Sequence, residues 1–112
     1  MALPTIALNA AATGISTPVT HIALTGPDGS TELSGGSYAR VAVTWAAASG
    51  GERHPNADLT FNVPAGATVG GWLGFTASTG GTSYGGNTLT NEVYAGAGQY
   101  VLQAAGTAYK VS

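Results

Sequence analysis

Glu52, His54 and Asp58 stand close together in the chain, and with His21 from elsewhere they form the one set whose residue types could hold a metal ion. A zinc site needs three or four ligands converging at about 2 Å, and a loose spacing within a loop does not enforce that. No metal site is therefore expected. Asp28-Gly29 resembles the start of a calcium loop but lacks the alternating acids and the closing glutamate, so a turn is the reading. There are no cysteines, no Gly-rich phosphate loop with its lysine and no Gly-x-Ser-x-Gly elbow. The acids Asp28, Glu32, Glu52, Asp58 and Glu92 form no obvious pair for glycoside chemistry. The expectation is a non-enzymatic protein with no catalytic, cofactor-binding or metal-binding residue.

Aromatic residues offer a different chemistry. Tyr38, Trp45, Trp72, Tyr84, Tyr94, Tyr100 and Tyr109 could stack against sugar rings, provided that several tyrosines and a tryptophan share one exposed face. Tyr38, Arg40, Trp72 and Tyr84 are the candidates for such a face or for an intersubunit contact. In a strand-rich domain most aromatics instead fill the core or its rim. Arg40, in the middle of an alternating segment, reads as a satisfied cross-strand or intersubunit charge.

The composition narrows the partners. Charged residues make up 7% of the 112, with a formal net charge of -2, which leaves no basic face to displace counterions from a nucleic acid. Eighteen glycines and many Ala, Thr and Ser give a polar but hardly charged surface, suited to burial against neighbouring subunits. The N-terminal stretch lacks the basic region of a secretory signal, and no apolar run approaches the roughly 20 residues of a membrane span. One domain over residues 1–112 is expected, with residues 1–14 as a helical arm.

The elements that would position these residues follow from periodicity. Pro4 to Ala12 reads as a short helix ended by Gly14, with Ile6, Leu3 and Ala10 inward. From Val19 the period becomes two, up to the turn Gly26-Pro27-Asp28-Gly29, and Ser30 to Ser37 connects onward. Tyr38 to Trp45 is the longest strand signal, with Val41, Val43 and Trp45 in the core and Trp45 contributing the largest buried area. Ala46 to Asn56 reads as a loop. Asp58 to Val63 directs Leu59, Phe61 and Val63 inward until Pro64 stops it. Thr68 to Ala77 is a strand broken by Gly70-Gly71 and Gly74, where a bulge would bring Trp72 and Phe75 to one face. Thr88 to Ala95, Gln99 to Gln103 and Thr107 to Val111 complete seven or eight short antiparallel strands. That pattern predicts an all-β fold, a jelly-roll or Ig-like sandwich with a short N-terminal helix.

Gly35-Gly36-Ser37-Tyr38-Ala39-Arg40, continuing through Val43-Thr44-Trp45-Ala46-Ala47-Ala48-Ser49-Gly50-Gly51, resembles a family of small virion proteins of tailed bacteriophages often labelled tail fibre proteins. Leu59-Thr60-Phe61-Asn62-Val63-Pro64-Ala65-Gly66, Ala77-Ser78-Thr79-Gly80-Gly81-Thr82, Tyr84-Gly85-Gly86 and Ala97-Gly98-Gln99-Tyr100 extend the resemblance from Glu32 to the C-terminus. It implies a virion structural protein with no catalytic residues to transfer. A small domain without fibrous repeats or heptads fits a capsid decoration or minor capsid protein, with a carbohydrate-binding tail fibre or tail-tip subunit as the alternative. The expected partners are other copies of the chain, as a homotrimer or other symmetric oligomer, and the major capsid protein or tail proteins.

Overall fold

A computed structural model describes residues 4–110. The chain forms a helix, α1 (Thr5–Ser16), followed by β1 (His21–Thr25), β2 (Val41–Ala42), β3 (Glu52–Arg53), β4 (Leu59–Val63), β5 (Thr68–Phe75), β6 (Ser83–Val93), β7 (Gly98–Leu102), a 3-10 turn (Ala104–Gly106) and β8 (Tyr109–Lys110). All strand pairings are antiparallel. They build one four-stranded sheet in the order β2-β1-β5-β6 and two separate ladders, β3-β8 and β4-β7. The protein is thus mostly β with one N-terminal helix. A second continuous sheet, as in the expected sandwich, is replaced by two short ladders.

Helix α1 runs past the expected stop. Gly14 lies inside it, and the chain leaves the helix ahead of Pro18, which lacks the N–H a further turn would need. Its buried residues are Ala12 and Ser16, whereas Ile6 is 79% exposed and Ala10 is exposed. The expected inward face is therefore wrong for Ile6 and Ala10, and Leu3 lies outside the described residues. What turns the helix is polar: Asn9 Oδ1 accepts from Gly51 N at 2.7 Å and Ser16 Oγ accepts from the Arg53 guanidinium at 3.1 Å. These bonds dock α1 on the β3 strand of its own chain.

The segment expected to be the longest strand pairs only briefly. Val41 and Ala42 face Ile22 and His21 in β1. Further along β1, the Tyr38 hydroxyl accepts from Leu24 N at 3.0 Å and Leu33 N donates to Leu24 O at 3.0 Å, so the ladder positions are already occupied. Beyond Val43 the chain changes partner: Asn56 N donates to Thr44 O, Ala46 N donates to His54 O, and Trp45 bridges to Pro55. The alternation survives, with Val41, Val43 and Trp45 half-buried against the core. Trp72, 1% exposed, and not Trp45, is the largest buried side chain.

The core joins the four-stranded sheet to the β4-β7 ladder and β8. Ile22, Leu24, Val69 and Trp72 meet Leu59, Phe61, Val63, Leu102 and Tyr109. β4 alternates buried and exposed as expected. Burial of side chains such as Phe61 and Trp72 contributes about 2–3 kcal/mol each. Buried hydroxyls are satisfied locally, Thr107 Oγ1 donating to Gln103 O and Ser16 Oγ to Ala12 O. Among the described residues no buried side-chain polar atom lacks a partner.

The irregularity of the β5-β6 hairpin sits in β6. Between β1 and β5 the register runs without a slip from His21 opposite Phe75 to Thr25 opposite Gly71. Trp72 and Phe75 therefore face opposite sides, correcting the expectation that a bulge at Gly74 brings them together. Against β6 the register shifts twice, because β6 spans 11 residues beside the eight of β5. The bulge opposite Gly74 uses Gly85, whose φ of +79° is the left-handed conformation that glycine adopts without strain.

Candidate functional site

The proposed surface residues Tyr38 and Arg40 belong to an internal polar network. Arg40 Nε and one terminal nitrogen clamp both carboxylate oxygens of Glu32 at 2.9 Å, and the other terminal nitrogen donates to Ala77 O at 3.0 Å and Gly80 O at 2.8 Å. Its guanidinium lies 3.7 Å from the centre of the Phe75 ring. The Tyr38 hydroxyl donates to Glu32 at 2.8 Å. Burial acts to raise the Glu32 carboxyl, but the Arg40 and Tyr38 hydrogen bonds and the Arg40 charge outweigh it and hold the group below its ordinary value. Burial, reinforced by the neighbouring carboxylate, pushes the Tyr38 phenol far up. The network fastens the connection between β1 and β2 to the segment following β5.

The other candidates disperse. Trp72 is buried and offers no face to a sugar, packing edge-on against Tyr109 at 5.5 Å between ring centres, while Trp45 meets the same tyrosine at 5.5 Å. The Trp45 indole donates to Val19 O at 2.9 Å. Tyr84, 42% exposed, stands at the beginning of β6. Of the metal-type residues, His54 contacts Ala104 O at 2.9 Å, Asp58 accepts from Ala104 N at 2.8 Å, and Glu52 is opposite Lys110 in the β3-β8 ladder. His54 and Asp58 thereby pin the 3-10 turn through the carbonyl and the amide of its first residue. Among the described residues no three His, Cys, Asp or Glu side chains gather as a metal site would require.

A groove does form where the end of β6 opens towards β7. It holds about 380 Å³ and is lined by Leu89, Glu92 and Tyr94 on one side and by Tyr100, Gln99 and Gln103 on the other. Both walls are sheet margins: β6 is the edge of the four-stranded sheet, and among the described residues β7 pairs only with β4. Tyr100 lies opposite Phe61 and so stands on the core side of its ladder, half-buried at the open rim. The turn between the strands brings the tyrosines together. Tyr94 covers Gly98, where an added Cβ would come within 2.9 Å of its ring, and its hydroxyl donates to Gln99 O at 2.9 Å. Loss of solvent, and then the Glu92 carboxylate, raise both phenols above their ordinary value, so the rings stay neutral.

The groove therefore offers two aromatic surfaces, one carboxylate and the primary amide of Gln103, the Gln99 amide being turned to Asn62 on the outer face of the ladder. Its sequence signal is the spacing of Tyr94 and Tyr100 about the turn Gly96-Ala97-Gly98, with Glu92 two residues earlier. The turn is legible in the sequence; that β6 ends beside β7 in a cleft is not.

No curated protein and no solved structure matches this chain. A family profile described as "Podophage GP4 fiber I protein gp80" matches residues 12–108, from the second half of α1 to the residue before β8. The match covers the network, the core and the groove, and the chain belongs to this family of bacteriophage virion proteins.

Proposed function

We propose that the protein is a subunit of a virion fibre whose role is structural and adhesive, in place of the capsid decoration protein expected from its size. The observation that carries this reading is the family match over residues 12–108, whose description names a fibre protein. Nothing comparable supports a place on the capsid. The arrangement of charge is compatible with fibre assembly: Arg40 and Arg53 are spent on internal hydrogen bonds, so the exposed charges are few, namely Asp28, Asp58, Glu92 and Lys110. Exposed Ile6, Ile15, Val93 and Val101 add apolar area to it.

In this reading the chain acts without catalysis, as one domain that assembles with copies of itself and with other tail proteins. Gold-labelled antibody against the protein, applied to intact particles, should decorate the tail fibres in electron micrographs. Label spread over the capsid faces would overturn the proposal.

A further inference from the structure

The geometry points to the groove between β6 and β7 as a binding site for a neutral or amino-sugar glycan, held by Tyr94, Tyr100, Glu92 and Gln103. This rests on the fibre reading for its biological setting and names the ligand class of that function.

At about 380 Å³ the groove falls in the roughly 300–1,000 Å³ range of small-ligand clefts. Its chemistry is mixed in a particular way. Tyr94 and Tyr100 are half-buried, which costs little further entropy to order them, and they present rigid ring surfaces against which the C–H face of a pyranose can lie. Glu92 and Gln103 are exposed beside them and carry the two kinds of group that read adjacent hydroxyls, whereas the Gln99 amide turns to the outer face of its ladder and donates to Asn62 Oδ1 at 3.4 Å. A carboxylate accepts from two O–H groups at once, and a primary amide both donates and accepts.

Charge selects within the glycans. Among the described residues the lining contains no Lys, Arg or His and one acid. An anionic sugar would find no cationic partner and would meet Glu92, whereas a neutral hydroxyl pair or a protonated amine would be matched by it. A peptide added as a strand is a weaker fit along the β6 wall, whose two register shifts break the regular row of backbone donors and acceptors that strand addition uses.

The test is binding of soluble oligosaccharides to the full chain by calorimetry, using maltohexaose, mannohexaose, chitosan hexamer and chitohexaose as neutral and amino-sugar probes and oligogalacturonate as the acidic one. Saturable binding of at least one neutral or amino-sugar probe is expected. Glu92→Ala and Gln103→Ala, both at exposed positions, should each weaken it roughly tenfold, the loss that follows removal of a hydrogen-bonding partner. Tyr84→Ala, at the far end of β6, should leave it unchanged. Preference for the acidic probe, binding that both groove variants leave intact, or no binding of any neutral or amino-sugar probe would overturn the assignment. Labelling of particles is independent of this result. Label on the capsid with glycan binding intact removes the fibre reading alone, and label on the fibre with no glycan binding removes the groove assignment alone.

Discussion

Arg40 uses four of its five N–H groups on Glu32, Ala77 and Gly80, and its flat face on Phe75. With the side chain only 8% exposed, Arg40→Ala would take two of the three donors from Glu32, leaving it the Tyr38 hydroxyl, and the one donor that Arg40 gives to each of the Ala77 and Gly80 carbonyls. Denaturant unfolding should show a loss of about 2–4 kcal/mol, less than for a fully buried pair because Glu32 keeps contact with water. Lysine cannot supply the fork, so Arg40→Lys should recover little of it. The same network makes stability depend on acid. Glu32 titrates below its ordinary 4.5 in the folded chain, so its contribution is complete above that value and drains away as the pH falls through the lower folded value. Glu32→Gln should flatten this part of the acid-unfolding curve. A residual slope should remain from Asp28, whose bonds from the Thr31 hydroxyl and from the Thr31 and Ser30 backbone hold it at about 2 against an ordinary 3.8. The sequence marks Arg40 as a satisfied charge; it does not mark Glu32 as the partner, because a connection that folds back carries no periodicity.

Elements hold together here through close approaches that a residue count does not reveal. An added Cβ on Gly74 would overlap the Tyr109 hydroxyl and come within 2.8 Å of Val19 Cγ1. Tyr109 cannot retreat, since its hydroxyl donates to Gly85 O at 2.8 Å and its ring is wedged between Trp45 and Trp72. Gly74→Ala should therefore cost about 1–3 kcal/mol in thermal or denaturant melts. It should also admit water to the Tyr109 phenol, now pushed up to about 12 by burial, and bring its spectrophotometric titration back towards the ordinary 10.0. Helix α1 depends on a different device. Arg53 donates to Ser16, Thr17 and Ala46, tying the last turn of the helix to β3. In Arg53→Ala, hydrogen exchange should rise across α1 while the β4 and β5 amides stay protected, because the helix contributes only Ala12 and Ser16 to the buried interior.

At the scale of the whole molecule the chain measures 47 by 25 by 23 Å, with weakly charged surfaces and scattered exposed aliphatics. A homo-oligomeric fibre subunit of this kind should sediment as a discrete symmetric assembly, a trimer being our expectation, whose size is insensitive to salt because apolar contacts are not screened. Dissociation by moderate salt, or a monomer at every concentration, would count against the proposed self-association. The irregular β6 edge bears on the same question. Its bulges interrupt the row of unpaired backbone groups along an 11-residue strand, which limits uncontrolled edge-to-edge pairing and leaves side-chain surfaces to direct assembly.

Local chemistry was enough for several features: β4 with its alternating Leu59, Phe61 and Val63, the turn at Gly26 to Gly29, the stop at Pro64, and the ordered Gly-rich motifs that carry the family resemblance. Each depends on neighbours in the chain, where periodicity, proline and glycine act directly. Other outcomes were tertiary. The Tyr38–Trp45 segment alternates like one strand, yet Tyr38 and Leu33 occupy the edge of β1, so the chain pairs in two short pieces with different partners. Trp72 and Trp45 look alike in sequence, and only the β1-β5 register, which sets Trp72 opposite Leu24, buries one more deeply than the other. The groove is likewise a product of packing: Tyr94 and Tyr100 flank a legible turn, but a cleft exists because the margins of two layers meet without pairing.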